Sequence, residues 1–246
     1  MESDGNKKIL FVFDFDHTIV ERNSDMEILT LLSENSKKSL GPKYIVSKNW
    51  AKYMQEVYKM MKNDNIEISQ IKKIVESLEF NKGYPELFEI LKNNKDKIDT
   101  LIISGANTLF LEWFLEKHNL TDVFPVYYSN WAVPHEENVI KIDQHHLHDC
   151  KECDQSQCKR IIIGDHFKKF HSEEQFDTYR HILYAGDGKN DYCPGTILRE
   201  QDMLFPRANF PLANKLIGKG CVKNLSCQVH LWENAFKIIE VLKMLL

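Results

Sequence analysis

Three short apolar runs, each emptying into a polar loop, constrain this chain more than anything else in it. Phe11-Val12-Phe13 runs into Asp14-Phe15-Asp16-His17-Thr18, Thr100 to Ile103 stops at Ser104-Gly105-Ala106-Asn107, and His181 to Ala185 opens into Gly186-Asp187-Gly188-Lys189-Asn190-Asp191. Runs of this length and content read as buried strands, and segments with helical spacing separate them. Strands alternating with helices predict an α/β fold, a Rossmann-like parallel sheet flanked by helices. Open sheets of this kind collect their ligands beyond the carboxyl ends of the strands, so the three loops are expected to meet there.

The loop residues point to phosphate and metal chemistry. Strand side chains repeat every two residues, so Asp14 and Asp16 leave the first strand on one face. Two like charges at such a place are costly unless a cation or protons relieve them. A lone D-x-D-x-T arises by chance in roughly a few per cent of chains this long, so the second acidic loop is what raises its weight. There Gly186 and Gly188 permit a tight turn with close backbone approach, Asp187 can point back over the sheet edge, and Asp191 is placed to brace the loop. Ser104 and the backbone N–H groups after it offer donors to an anion.

With Asp14 to Thr18 as DxDxT, Ser104 as the second motif, a lysine as the third and Gly186 to Asp191 as GDxxxD, the chain resembles the haloacid dehalogenase superfamily of phosphohydrolases. The segments DFDHTIVERNSD and GDGKNDYCP, with the cysteine-bearing stretch between them, resemble the branch of phosphoethanolamine/phosphocholine and pyridoxal phosphate phosphatases. The resemblance implies Mg2+ held by Asp14, Asp187 and the backbone carbonyl of Asp16, with Asp191 behind them. It also implies Asp14 as nucleophile, giving an aspartyl-phosphate, and Asp16 as the acid and then the base. Ser104 and Lys159 are expected to bind the transferring phosphoryl group. Lys159 competes with Lys168 and Lys169 for this part and is preferred because it opens a helical pattern directly after the cysteines. The Thr18 hydroxyl either supports the motif loop or is a turn residue. A phosphotransferase on the same fold and a non-catalytic binding protein are the alternatives; the presence of Asp14, Asp16 and Asp187 favours the phosphatase.

In the branch, substrate selection is expected from an acidic residue in the first cap helix, matched by Asp25, and from a second after the motif-two serine, where this chain has Gly105. Losing that carboxylate weakens the case for a cationic head group and keeps pyridoxal 5'-phosphate open beside phosphoethanolamine and phosphocholine. Asp25 has a second reading, a carboxylate at N1 of a helix that favours the helix dipole.

Organisation agrees with one enzyme. A chain of 246 residues with 43% hydrophobic content can bury one core and carry an insertion. Ser24 to Glu27 reads as a capping box, and apolar stripes through Trp50 to Met61 and Ile68 to Leu78 predict helices. Residues 21–82 are therefore expected to form a small helical cap inserted after the first strand of a core made by residues 1–20 and 83–246. Further strands are expected at Val123 to Tyr128 and over 202–206, and a last helix from Trp232.

Acidic residues number 36 and basic ones 32, interspersed, for a formal charge of −4, so no basic face for nucleic acid emerges. No apolar run approaches the roughly 20 residues of a membrane helix, and Met1 to Lys8 has no signal-peptide pattern, which predicts a cytoplasmic protein whose partner is a small phosphomonoester. The N-x-S/T matches at Asn119 and Asn224 are then idle. Nothing in the sequence sets the oligomeric state. His145 to Cys158 contains C-x2-C-x4-C, which with His148 could supply four ligands to zinc from Cys150, Cys153 and Cys158, or could instead be a turn of buried or redox-active thiols. Cys193, Cys221 and Cys227 are expected as packing residues.

Overall fold

The computed structural model describes residues 7–41, 48–136, 138–171, 176–218 and 220–246. At its centre lies β1 (Ile9–Phe13), flanked in parallel by β2 (Ile98–Asn107) and β5 (His181–Gly186). Beyond β5 follow β6 (Met203–Pro206) and β7 (Gln228–Val229), both parallel. Beyond β2 come β3 (Tyr127–His135), parallel, and β4 (Val139–Asp143), antiparallel, giving a seven-stranded order β4-β3-β2-β1-β5-β6-β7. The chain leaves β1 for β2 on one side and reaches β5 on the other. Phe13 is level with Ile102 and with Ala185, so the polar segments that follow Phe13, Ile103 and Ala185 start side by side at this switch point. The second of them is not the expected loop: β2 carries on through Ser104–Asn107, with a register shift against β3 between Ile103 and Asn107.

Alternation along β1 builds two apolar layers. Ile9, Phe11 and Phe13 face one cluster, while Leu10 and Val12 face the other with Ile162, Ile163 and Phe167 of α7 (Lys159–His171). The first cluster runs without interruption into the helices that follow β1. These are α1 (Ser24–Ile28), α2 (Glu34–Leu40), α3 (Trp50–Asn63) and α4 (Ile68–Glu76), and they contribute Met54, Val57, Tyr58, Met61, Ile71 and Val75. Next come α5 (Tyr84–Asn93), with Pro85 in its first turn, and α6 (Thr108–Lys117) after β2. The one-turn α8 (Tyr192–Gly195), α9 (Pro211–Gly218) and α10 (Ala235–Leu245) complete the set. Among the described residues no helix is long and apolar enough to cross a membrane.

Some local expectations fail for identifiable reasons. The cap of α1 is Asn23, whose side chain accepts the Met26 N–H, so the Ser24 capping box does not form and Asp25 stands at the second helical position. Asn and Ser cap about equally well, and the preceding backbone decides between neighbours. The strand expected at Val123 begins only at Tyr127, because Val123 and Phe124 turn back onto the Leu120 carbonyl ahead of Pro125. No strand was expected at β4, which alternates in burial and lies against α3. There Gln55 donates to the Ile140 carbonyl and accepts the Ile142 N–H, covering an edge that would otherwise expose unpaired groups.

Candidate active site

Asp14 directly follows β1 with its own N–H bonded to the Ala185 carbonyl, which holds its backbone against the neighbouring strand. Its Oδ1 lies 2.6 Å from Lys159 Nζ, and the same ammonium is 2.8 Å from Asp191 Oδ1. Lys159, the first residue of α7, is fully buried. Burial by itself would favour the neutral amine, but the charges of Asp14 and Asp191 outweigh it and raise the Lys159 pKa. Two of its three N–H donors are thus committed, and the third direction can serve an anion. Lys168 pairs with Asp165 on the exposed side of α7, and Lys169 lies over the Phe170 ring, so neither of them reaches this centre.

Asp191 organises the loop after β5. Oδ1 accepts from Lys159 and, at 2.6 Å, from the Tyr184 hydroxyl; Oδ2 accepts the N–H groups of Asp187 at 3.1 Å and Gly188 at 2.8 Å. All four acceptor positions of the carboxylate are occupied, which leaves it a brace and not a free ligand. Gly186 is required by this brace, because a Cβ there would stand 2.5 Å from Asp191 Cγ.

Asp14, Asp187 and Asp191 place carboxylate oxygens within 4.8 Å of one another. Such crowding in a buried place holds protons. Burial, and then the Asp191 charge, raise Asp14 well above the usual carboxylate range and push Asp187 up to about 7. A divalent cation relieves this excess of negative charge, and hard carboxylate oxygens suit one. Asp14 and Asp187 are the two of the three with acceptor capacity to hold it.

Past Asp14 the chain leaves strand geometry: His17 takes φ +55°, a left-handed conformation uncommon for a side chain of this kind. Three contacts hold it. His17 Nδ1 meets the Glu21 carbonyl at 2.9 Å, the His17 carbonyl accepts from Arg207 at 2.6 Å, and Arg207 clamps both oxygens of Glu21 at 2.8 and 2.9 Å. The turn swings Asp16 back toward the strand ends, where its Oδ1 accepts the Ser24 N–H at 2.7 Å. Burial raises the Asp16 pKa against that hydrogen bond. The Thr18 hydroxyl is buried without a hydrogen-bond partner among the described residues; its carbonyl, not its hydroxyl, ties the loop by accepting the Asn81 amide at 2.7 Å.

A cavity of about 910 Å³ opens over these groups and is lined by Asp14, Asp16, Asp25, Gly105 and Asp187, with Trp50 and the 148–157 loop as further walls. Ser104 is fully buried beside it: its Oγ accepts the Ala106 N–H at 3.1 Å, and its carbonyl accepts the Gln157 amide at 2.6 Å. Asp25, 1% exposed, accepts the Trp50 indole N–H through Oδ2 at 2.6 Å, while Oδ1 has no hydrogen-bond partner among the described residues. Burial first, and then the Asp16 charge, push its pKa up to about 8. Gly105 lines the cavity; a Cβ there would be 3.6 Å from Gln157 Nε2 and 3.9 Å from Asn190 Nδ2, ordinary contacts.

The thiol segment departs from expectation. Cys150, Cys153 and Cys158 gather not with His148 but with Cys193, and all four Sγ atoms lie within 4.8 Å of one another. His148 has both ring nitrogens engaged, Nε2 donating to the Asp154 carbonyl at 2.8 Å and Nδ1 accepting the Cys150 N–H at 3.2 Å. It shapes the loop and is not among the clustered sulfur ligand atoms. Cys193, expected as a packing residue, is the fourth member, while Cys227 is buried in the apolar layer behind the sheet.

A sheet with its switch point at β1, carrying paired aspartates on the first loop and a buried lysine–aspartate bridge between the third and fourth motifs, defines a phosphatase of the haloacid dehalogenase class, a phosphoric monoester hydrolase. A family model described as Putative Phosphatase matches residues 9–246, and the chain belongs to that family. It is 33% identical over 242 residues to the pyridoxal phosphate phosphatase PHOSPHO2 of Bos taurus, covering 97% of this chain and 99% of the relative. With the phosphoethanolamine/phosphocholine phosphatase of Gallus gallus it shares 28% identity over 253 residues, covering 100% of this chain and 92% of the relative. Among solved structures, a phospho-aspartyl intermediate analogue of phosphoserine phosphatase superposes with a TM-score of 0.60 at 17% identity, covering 97% of this chain and 99% of the other; this likeness speaks for the fold alone.

Proposed function

We propose that this protein hydrolyses small phosphomonoesters with Mg2+ as cofactor, pyridoxal 5'-phosphate and phosphoamines such as phosphoethanolamine being the candidate substrates. The reading is carried by one observation: two buried carboxyls, Asp14 and Asp16, face the same cavity while the first of them touches the Lys159 ammonium at 2.6 Å. Asp14 and Asp187, with the Asp16 carbonyl, would hold the cation, which shields the phosphate dianion from an anionic nucleophile.

Asp14 then attacks phosphorus through the oxygen not paired with Lys159, and the bond from phosphorus to the leaving oxygen breaks. Asp16 is suited to supply the proton that this oxygen needs, because burial keeps its carboxyl protonated further up the pH scale than an exposed one. The resulting Asp16 carboxylate takes a proton from water as the water attacks the aspartyl-phosphate, releasing phosphate and restoring Asp14. Ser104 and the remaining Lys159 N–H serve the equatorial oxygens.

We assign residues 21–82 as a cap over a core of residues 1–20 and 83–246. The cap contributes Asp25 and Trp50 to the cavity wall, and Trp50 N–H bonds Asp154 of the thiol loop at 2.9 Å. The substrates named for the relatives at 33% and 28% identity support the substrate class, and Gly105, which offers no carboxylate, favours pyridoxal phosphate within it. The test is a screen of pyridoxal phosphate, phosphoethanolamine, phosphocholine and phosphoserine with Mg2+ and with chelator. Turnover should require the metal and vanish in Asp14→Asn with the fold intact; an unchanged rate in that variant refutes the assignment.

A further inference from the structure

We infer a second metal site, separate from the carboxylates: a tetrahedral zinc held by Cys150, Cys153, Cys158 and Cys193. Four sulfurs bound to zinc at about 2.3 Å lie about 3.8 Å from one another. In this structure Cys193 Sγ is 3.5 Å from Cys150 Sγ and 3.9 Å from Cys158 Sγ, and all four sulfurs sit within 4.8 Å of each other. The set is thus pre-shaped for a small soft cation. A disulfide needs sulfurs about 2.05 Å apart, well inside these separations, and would use only two of the four.

Packing does not account for the cluster. Cys150 and Cys153 are half-exposed and line the cavity, so no apolar core draws them together. The loop that carries them is held by polar groups that are themselves spent: His146 Nε2 accepts the Cys158 N–H at 3.2 Å, as His148 Nδ1 does for Cys150. Four thiols thereby converge on one another, and the Cys158 sulfur is further served by the backbone of Ile161. Binding would replace four S–H protons, released to solvent, with four zinc–thiolate bonds and leave a site of net charge about −2.

The position gives the site a task. Cys158 immediately precedes Lys159, and Cys193 follows Asp191 by two residues, so one ion would fasten together the two segments that form the Lys159–Asp191 bridge. It would also fix the loop that walls the cavity.

The experiment is metal analysis of the purified full chain, expressed with zinc supplied and handled in buffer containing Mg2+, together with X-ray absorption at the zinc edge. The expected result is about one zinc per chain with four sulfur neighbours at about 2.3 Å. Cys193→Ser should lose that zinc, and His148→Ala should keep it. Where Cys193→Ser does not fold, thiol titration of the native chain decides: four thiols should be protected until a strong zinc chelator is added. A chain that takes up no zinc, one that binds iron instead, one whose thiols are found as disulfides, or zinc retained in Cys193→Ser would each overturn the inference.

Discussion

Asp191→Asn separates a brace from a metal ligand. The carboxylate is fully buried and accepts four hydrogen bonds, two on each oxygen, one of them from a buried ammonium. An asparagine keeps one acceptor oxygen. If that oxygen stays with Lys159 and Tyr184, the new NH2 group faces the N–H donors of Asp187 and Gly188; if it is flipped, it faces the ammonium. Each buried donor left unmet costs about 1–3 kcal/mol, and halving the counter-charge of a buried lysine adds to this, so a loss of about 3–5 kcal/mol is expected. In a chain of this size that lowers the melting temperature by roughly 6–20 °C. Calorimetry in EDTA and again in Mg2+ should show the loss in both conditions. Were Asp191 a ligand instead, the metal-free variant would have one fewer repelling carboxylate and would melt at or above the wild-type temperature in EDTA. That result would refute the assignment.

Gly105→Asp should raise kcat/KM for phosphoethanolamine relative to pyridoxal phosphate by about 1 kcal/mol of preferential binding or more, since a Cβ there meets only ordinary contacts at the edge of the cavity; an equal change for both substrates would show that position 105 does not read the head group. Asp25, whose pKa lies at about 8, is neutral below that pH and ionised above it. The same ratio should therefore climb as pH passes 8 in wild type and stay flat in Asp25→Asn, measured by initial rates in Mg2+. Asp187 is raised from its ordinary value of 3.8 to about 7, so the metal-free fold is favoured by this group below pH 3.8 and loses that contribution as pH rises through 7. Mg2+ binding, which needs the carboxylate, should tighten over the same rise and release protons below pH 7; titration calorimetry giving a pH-independent affinity would contradict it.

What could be read in advance was what is local. Asp14, Ser104 and Asp187 each follow an apolar run, and the strand period with the loop glycines is a local signal for the meeting of Asp14 with Asp187. Lys159, which pairs with Asp14, has a local signature too: it opens a helix directly after the cysteine segment. What escaped depends on residues far apart along the chain. Arg207 and Glu21, separated by 186 positions, hold the His17 turn, and neither has a local signature. Cys193 meets Cys150 across 43 positions, so the spacing within one loop points to the nearer His148 instead. The late start of β3 was hidden because Val123 and Phe124 are as apolar and as buried as strand residues, and only Pro125 signals the turn. The edge strand β4 is short, and its apolar face is completed by Gln55 and the rest of α3, which a strand pattern does not reveal.

The apolar layer that runs from Phe11 and Phe13 through Tyr58 and Met61 to Val75 has an evolutionary consequence. Helices that share their interior with the catalytic sheet are not an exchangeable module: transplanting them between relatives would strip side chains from both parties and cost far more than a few wall contacts. A change of specificity that spares the shared interior would then fall on single positions of the cavity lining, such as Asp25, Trp50 and Gly105.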